Sequence, residues 1–66
     1  VSYTTSVDTT ATAVQQALAN AGYYSGPIDG IVGSGTTGAI AAYQRDHGLR
    51  VTGTINAQLL SSLGLS

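Results

Sequence analysis

The chain has no cysteine, methionine, phenylalanine or tryptophan, and neither glutamate nor lysine occurs among its 66 residues. Each absence excludes something. A chain of this length buries only about 60% of the surface its unfolded form exposes, and domains this short often lean on disulfides or a structural metal. Without cysteine, and with His47 as the single histidine, neither support can be built. The core must come from aliphatic residues, alanine and tyrosine. Charge is equally scarce: Asp8, Asp29 and Asp46 face Arg45 and Arg50, for a net charge of −1. That balance gives no pull toward a phosphate backbone or an anionic lipid surface, so nucleic acid is not an expected partner. No apolar run approaches the ~20 residues of a membrane span. The lack of cysteine fits either redox compartment. Beginning at Val1, the chain reads as a piece excised or processed from something longer.

What is present is Ser, Thr, Gly, Asn and Gln around three helix-spaced apolar stripes. Residues 1–9 read as a linker or docked N-terminal tail, and residues 10–66 as the domain. The first helix is predicted from about Thr10 to Ala21, with Val14, Ala17, Leu18 and Ala21 on one face. Asp8, Thr9, Thr10 and Thr12 are candidate N-caps, and Thr12 with Gln15 has capping-box spacing. Gly22 suits a left-handed helix end, with Tyr23 folding back onto Leu18. A second helix is predicted from about Thr36 to His47, with Ala39, Ile40, Ala42 and Tyr43 inward. Gly38 inside it costs roughly 1 kcal/mol relative to alanine, which close packing against another backbone would explain. Gly48 and Leu49 repeat the glycine-plus-apolar ending. A third helix starts after Asn56 as N-cap and buries Leu59, Leu60 and Leu63. Each helix is too short to be stable alone.

The chain echoes itself. Gly22-Tyr23 followed by Gly26-Pro27-Ile28-Asp29 resembles Gly48-Leu49 followed by Gly53-Thr54-Ile55-Asn56. On this alignment Ile28 and Ile55 enter the core from equivalent corners, and Asp29 and Asn56 each cap the segment after them. The expected fold is therefore all-α, a small three-helix globule with an internal pseudo-repeat and short Gly-rich loops.

Val14-Gln15, Leu18, Gly22-Tyr23-Tyr24, Gly26, Ile28-Asp29-Gly30, Gly33, Thr36, Ala39-Ile40, Tyr43-Gln44, Gly48-Leu49 and Thr52-Gly53 occur in an order and spacing that resembles the peptidoglycan-binding domain of bacterial cell-wall hydrolases. A diverged form of the same module lies near the N-terminus of matrix metalloprotease precursors. The resemblance spans about residues 10–65. Val32 stands where the family usually has phenylalanine, and Leu59 where threonine is common. The resemblance implies a three-helix, non-catalytic, carbohydrate-binding module, monomeric and extracytoplasmic. It implies binding to peptidoglycan, both glycan and stem peptide, and attachment to a catalytic domain that the module targets to the wall. The competing reading is a protein-interaction or regulatory module that kept the fold without wall binding.

The residues themselves offer few chemical groups. Tyr24, if partly exposed, can stack on a sugar face and use its hydroxyl. Arg45 and Arg50 either serve the carbonyl end of the second helix or fork onto stem-peptide carboxylates. The backbone from Gly26 to Gly30 can contribute amides. Tyr24, Arg45, Arg50, Gly26 and Gly30 are thus the candidate ligand-binding residues. Asp29, Gly22, Gly48, Asn56 and Gln44 are expected to be structural: Asp29 as an Asx residue accepting local N–H groups, Gln44 as a buried amide bonded to backbone. Tyr23 and Tyr43 are assigned to the core. No catalytic residue, cofactor or metal site is expected: His47 has no ligating companion, no serine has a base beside it, and nothing pairs two aspartates across a cleft. Gly30-x-x-Gly33-x-Gly35 lacks the lysine and the strand of a phosphate loop.

Overall fold

A computed structural model describes residues 9–65. It contains three helices in the order α1 (Thr9–Asn20), α2 (Ser34–Asp46) and α3 (Ala57–Leu63). No strand occurs among the described residues. Of the expected tail at residues 1–9, residues 1–8 lie outside them, as does Asp8 as a cap, and Thr9 stands at the start of α1.

The core forms where the three apolar stripes meet. Val14 and Leu18 from α1, Ala39, Ile40 and Tyr43 from α2, and Leu59 from α3 are its buried members. Tyr23, Tyr24, Leu49, Ile55, Leu60 and Leu63 pack around them. Each fully buried leucine or isoleucine contributes on the order of 2 kcal/mol, and there are few of them, so the polar contacts that fix the loops matter proportionally more.

All three helices end alike. The Tyr23 N–H donates to Leu18 O at 2.8 Å and the Gly22 N–H to Ala19 O at 3.0 Å. Leu49 with Gln44 and Gly48 with Arg45 repeat this pair after α2, and Leu65 with Leu60 and Gly64 with Ser61 repeat it after α3. This is the Schellman arrangement, which satisfies the last carbonyls and needs a left-handed residue at the turn. Gly22, Gly48 and Gly64 supply it, with φ of 88°, 70° and 78°.

The helix starts differ from one another. At α3 the Asn56 side chain accepts the Leu59 N–H at 2.8 Å, the expected N-cap. Helix α2 begins at Ser34, two residues before the predicted start, and its N-cap Gly33 offers no side-chain bond. Thr12 lies inside α1 rather than at its end, so Thr12 and Gln15 form no capping box. Gly38 is exposed, and a Cβ there would meet nothing within 4 Å. Close backbone packing is therefore not the reason for that glycine.

The pseudo-repeat is present in a different register. Ile28 is exposed whereas Ile55 packs on the core, and Asp29 caps no helix whereas Asn56 does. The structurally matched segments are Asp29-Gly30-Ile31 and Thr52-Gly53-Thr54. In each, a side-chain oxygen accepts the N–H two residues on, Asp29 Oδ1 from Ile31 at 3.0 Å and Thr52 Oγ1 from Thr54 at 3.2 Å. In each the middle glycine is left-handed, with φ of 76° at Gly30 and 69° at Gly53. In each a glutamine from the preceding helix reaches in to hold the turn.

Candidate functional site

Gln15 and Gln44 are both fully buried, at helix positions that continue the apolar stripes through Ala11, Leu18 and Ile40. A buried primary amide must find partners or cost free energy. Gln15 Oε1 accepts the Gly30 N–H at 2.8 Å. Its Nε2 donates to Ile31 O and Thr36 Oγ1, both at 3.0 Å, with Asp29 Oδ1 at 3.2 Å and Tyr24 Oη at 3.4 Å sharing the same two protons more weakly. Gln44 Oε1 accepts from Thr52 and Gly53 at 2.9 and 3.0 Å, and its Nε2 donates to Thr52 Oγ1 at 3.0 Å. One amide thus pins the loop between α1 and α2, the other the loop between α2 and α3.

The Gln15-held loop forms one wall of an open groove of about 390 Å³. Tyr23, Tyr24, Pro27, Asp29 and Ile31 line it from the loop, and Gly33, Gly35 and Thr36 line it from the start of α2. Tyr24 is half-buried and fixed, its hydroxyl donating to Pro27 O at 2.7 Å. Gly26 lies against this ring so closely that a Cβ would come within 2.8 Å of the Tyr24 oxygen. At Gly33 a Cβ would meet nothing within 4 Å, and at Gly35 only the Tyr24 ring edge at 3.8 Å. The groove is therefore open because its α2 side carries few side chains. The bonds from the Ile31 N–H, and then from Gln15, hold the Asp29 carboxyl below the usual carboxylate range.

The sequence-derived ligand residues separate into two groups. Tyr24 and Gly26 border the groove. Gly30 does not line it: the residue is buried and its N–H is already bonded to Gln15. Arg45 and Arg50 are exposed and neither lines the groove. Arg45 stands in the last turn of α2, ~15 Å along the helix from Gly35 at 1.5 Å per residue.

Near that far end a second shallow cavity of about 450 Å³ opens between Ala17, Asn20, Ala21, Tyr43, His47, Ser62 and Leu63. The Tyr43 and His47 rings stack there at 3.9 Å, and Tyr23 meets Tyr43 edge-on at 5.4 Å. Tyr43 Oη is 2.8 Å from Ser62 Oγ. His47 Nδ1 lies 2.9 Å from Tyr43 O, so the ring nitrogen is the donor. The Tyr23 hydroxyl donates to Asp46 Oδ2 at 2.9 Å, and this bond raises the Tyr23 pKa. Tyr43 is core as expected; Tyr23 packs on the core with its hydroxyl outside.

Among the described residues no group of three or more His, Asp, Glu or Cys gathers to hold a metal ion. Among them, too, no helix is long and apolar enough to cross a membrane. The sequence reading undervalued Gln15, Thr36 and Thr52. The signal was available: each glutamine continues an apolar helical stripe, a place where an amide needs partners.

The family model of the peptidoglycan binding domain matches residues 8–63. Localization factor PodJL of Caulobacter vibrioides is 47% identical over 51 residues, 77% of this chain and 5% of that protein. The OxPP cycle protein OpcA is 44% identical over 50 residues in Synechocystis sp. and 43% over 49 in Nostoc punctiforme, covering 76% and 74% of this chain and 10% of each relative. The chain thus spans only a tenth or less of these relatives' length, and no solved structure matches it. With the match running from the first turn of α1 through the end of α3, over the Gln15 and Gln44 loops alike, the chain belongs to the peptidoglycan-binding domain family.

Proposed function

We propose that this domain binds bacterial cell-wall peptidoglycan without acting on it chemically and holds an attached polypeptide at the wall. The observation that carries the reading is the family match over nearly the whole domain. The groove walled by Tyr23 and Tyr24 is the ligand site in this reading: it is concave, partly apolar and edged by a few oriented polar groups, as binding sites are. A half-buried tyrosine fixed by its own hydrogen bond loses little freedom when a sugar or peptide packs on it. The site is shallow, so affinity is modest, and tethering to a larger chain raises the effective concentration at the wall. Function outside the cytoplasm, and an attached wall enzyme, are part of the same proposal. Arg45 and Arg50 serve the carbonyl end of α2 in this reading.

A second reading has its own observation. The relatives are named a localization factor and an OxPP cycle protein, neither name describing a wall hydrolase. A module that docks on protein fits those names.

Co-sedimentation with purified insoluble peptidoglycan separates the two. The expected result is saturable pelleting that weakens several-fold in Tyr24→Ala and persists in Arg45→Ala. Absence of pelleting at tens of micromolar, with the domain folded, would overturn wall binding and leave the protein-docking reading. Muropeptides released by the domain alone would overturn its non-catalytic character.

A further inference from the structure

The groove has a charge character of its own. Among the described residues that line it, Asp29 is the one ionised at neutral pH. The Ile31 N–H and the Gln15 amide both meet Oδ1, and no hydrogen bond from another described residue reaches Oδ2. Oδ1 therefore anchors the carboxylate, while Oδ2 is left to face a ligand. The start of α2 opposes this charge, since a helix N-terminus carries about +0.5 of a unit charge. A full negative charge outweighs it, and the groove remains net negative. Beside the carboxylate lie Pro27, Ile31 and the Tyr24 ring, with Ile28 and Val32 also exposed on this loop. An anchored anion next to an apolar wall suits a cation carried on an alkyl stem, which packs its methylenes and presents its charged head.

Resting on the wall-binding reading, we propose that the groove recognises the free primary ammonium of the stem peptide's diamino acid, with the ammonium on Asp29 Oδ2 and the alkyl chain along Pro27 and Ile31. The lowered Asp29 pKa keeps the partner anion in place well into acid. A carboxylate finds no cationic partner within this groove, because neither arginine lines it, so the stem peptide's own carboxylates lie outside the contact and its ammonium is the charge recognised. An amine on the glycan sits directly on a sugar ring and lacks the alkyl stem this wall accommodates.

The test compares binding isotherms on insoluble wall before and after its free amines are blocked with acetic anhydride, which leaves the protein untouched. Affinity should fall roughly threefold to tenfold on acetylation, the range for an exposed charge-assisted contact. Asp29→Asn, whose side-chain oxygen can still accept from Ile31, should bind untreated wall about as weakly as the parent binds acetylated wall. Glycan strands stripped of peptide should not compete; amine-bearing stem peptides should. Equal binding to both walls overturns the proposal and leaves wall binding standing. Loss in Asp29→Asn with no effect of acetylation also overturns it, as does competition by peptide-free glycan. Failure to bind either wall removes the wall-binding reading and this proposal together.

Discussion

The Gln15 side-chain oxygen and the Gly30 N–H, 15 residues apart in sequence, lie 2.8 Å from each other in the interior. Gln44 and Gly53 stand in the same relation at 3.0 Å. The two loops of this domain are held from outside themselves, each by one amide of the helix before it.

Truncating either glutamine leaves a buried glycine N–H unpaired, which costs about 1–3 kcal/mol apart from the lost packing. Gln15→Ala and Gln44→Ala should each lower the urea midpoint by an amount equivalent to about 2–3 kcal/mol, with unchanged m. The two amides share no partner, so their effects should add. The double variant should be unfolded, since a domain of this size has only ~3–5 kcal/mol to lose. A folded double variant would show that the amides carry far less than this.

The glycines sort by environment. Gly38→Ala replaces an exposed helical glycine with nothing nearby and should stabilise by ~0.5–1 kcal/mol, raising Tm by several degrees. Gly53→Ala forces a left-handed alanine and brings its Cβ to 3.0 Å from Thr37 Cγ2, so it should cost more than ~1 kcal/mol. Gly22→Ala, left-handed but in open space, should fall between Gly53→Ala and the parent. Thermal melts of the three variants test that order.

Acid should act through Asp29. Its carboxyl lies below the ordinary value in the folded state because the ionised form accepts from Ile31 and Gln15. The stability this supplies is present above the unfolded pKa of about 3.9 and is lost as pH falls through the lower folded value. Asp29→Asn should show a shallower fall in stability below pH 4 than the parent, measured by urea midpoints across the acid range.

Base should act through Tyr23. Its phenol accepts ionisation reluctantly because it donates to Asp46. The stability from that bond is complete below the unfolded phenol pKa of about 10 and disappears as pH rises through the raised folded value. Tyr23→Phe should be less stable than the parent at pH 8, and the difference should shrink above pH 10. Absorbance titration of the phenolates gives an independent check, with one of the folded-state tyrosines ionising late.

The helices were legible because their signals are local. Val14 with Leu18, Ile40 with Tyr43, and Asn56 ahead of Leu59 all act within two turns, and glycine followed by an apolar residue marked the ends of α1 and α2. The register of the repeat was not legible in the same way. Gly26 and Gly53 looked alike because both precede an x-Ile-Asp/Asn string, yet the residue that determines the loop conformation is the glycine that meets the glutamine. That pairing acts across 15 residues in one loop and 9 in the other, and no fixed spacing reveals it. The candidate site was legible in part. Tyr24 and Gly26 could be named from a tyrosine beside a tight loop, whereas the separation of the arginines from them depends on the length of α2 and on which end of it faces the loop.

The division of labour in the loop between α1 and α2 bears on how such a module diversifies. Gln15 grips Ile31 by its carbonyl and Gly30 by its N–H, and the Ile31 side chain is more than half exposed. Gly33 looks into open space. A new side chain at either rim position changes the face of the groove while the grip on the backbone is untouched. On the proposed reading of the groove as the ligand site, recognition can be exchanged at these positions, by natural drift or by directed selection, on a scaffold whose own folding instructions lie elsewhere in the chain.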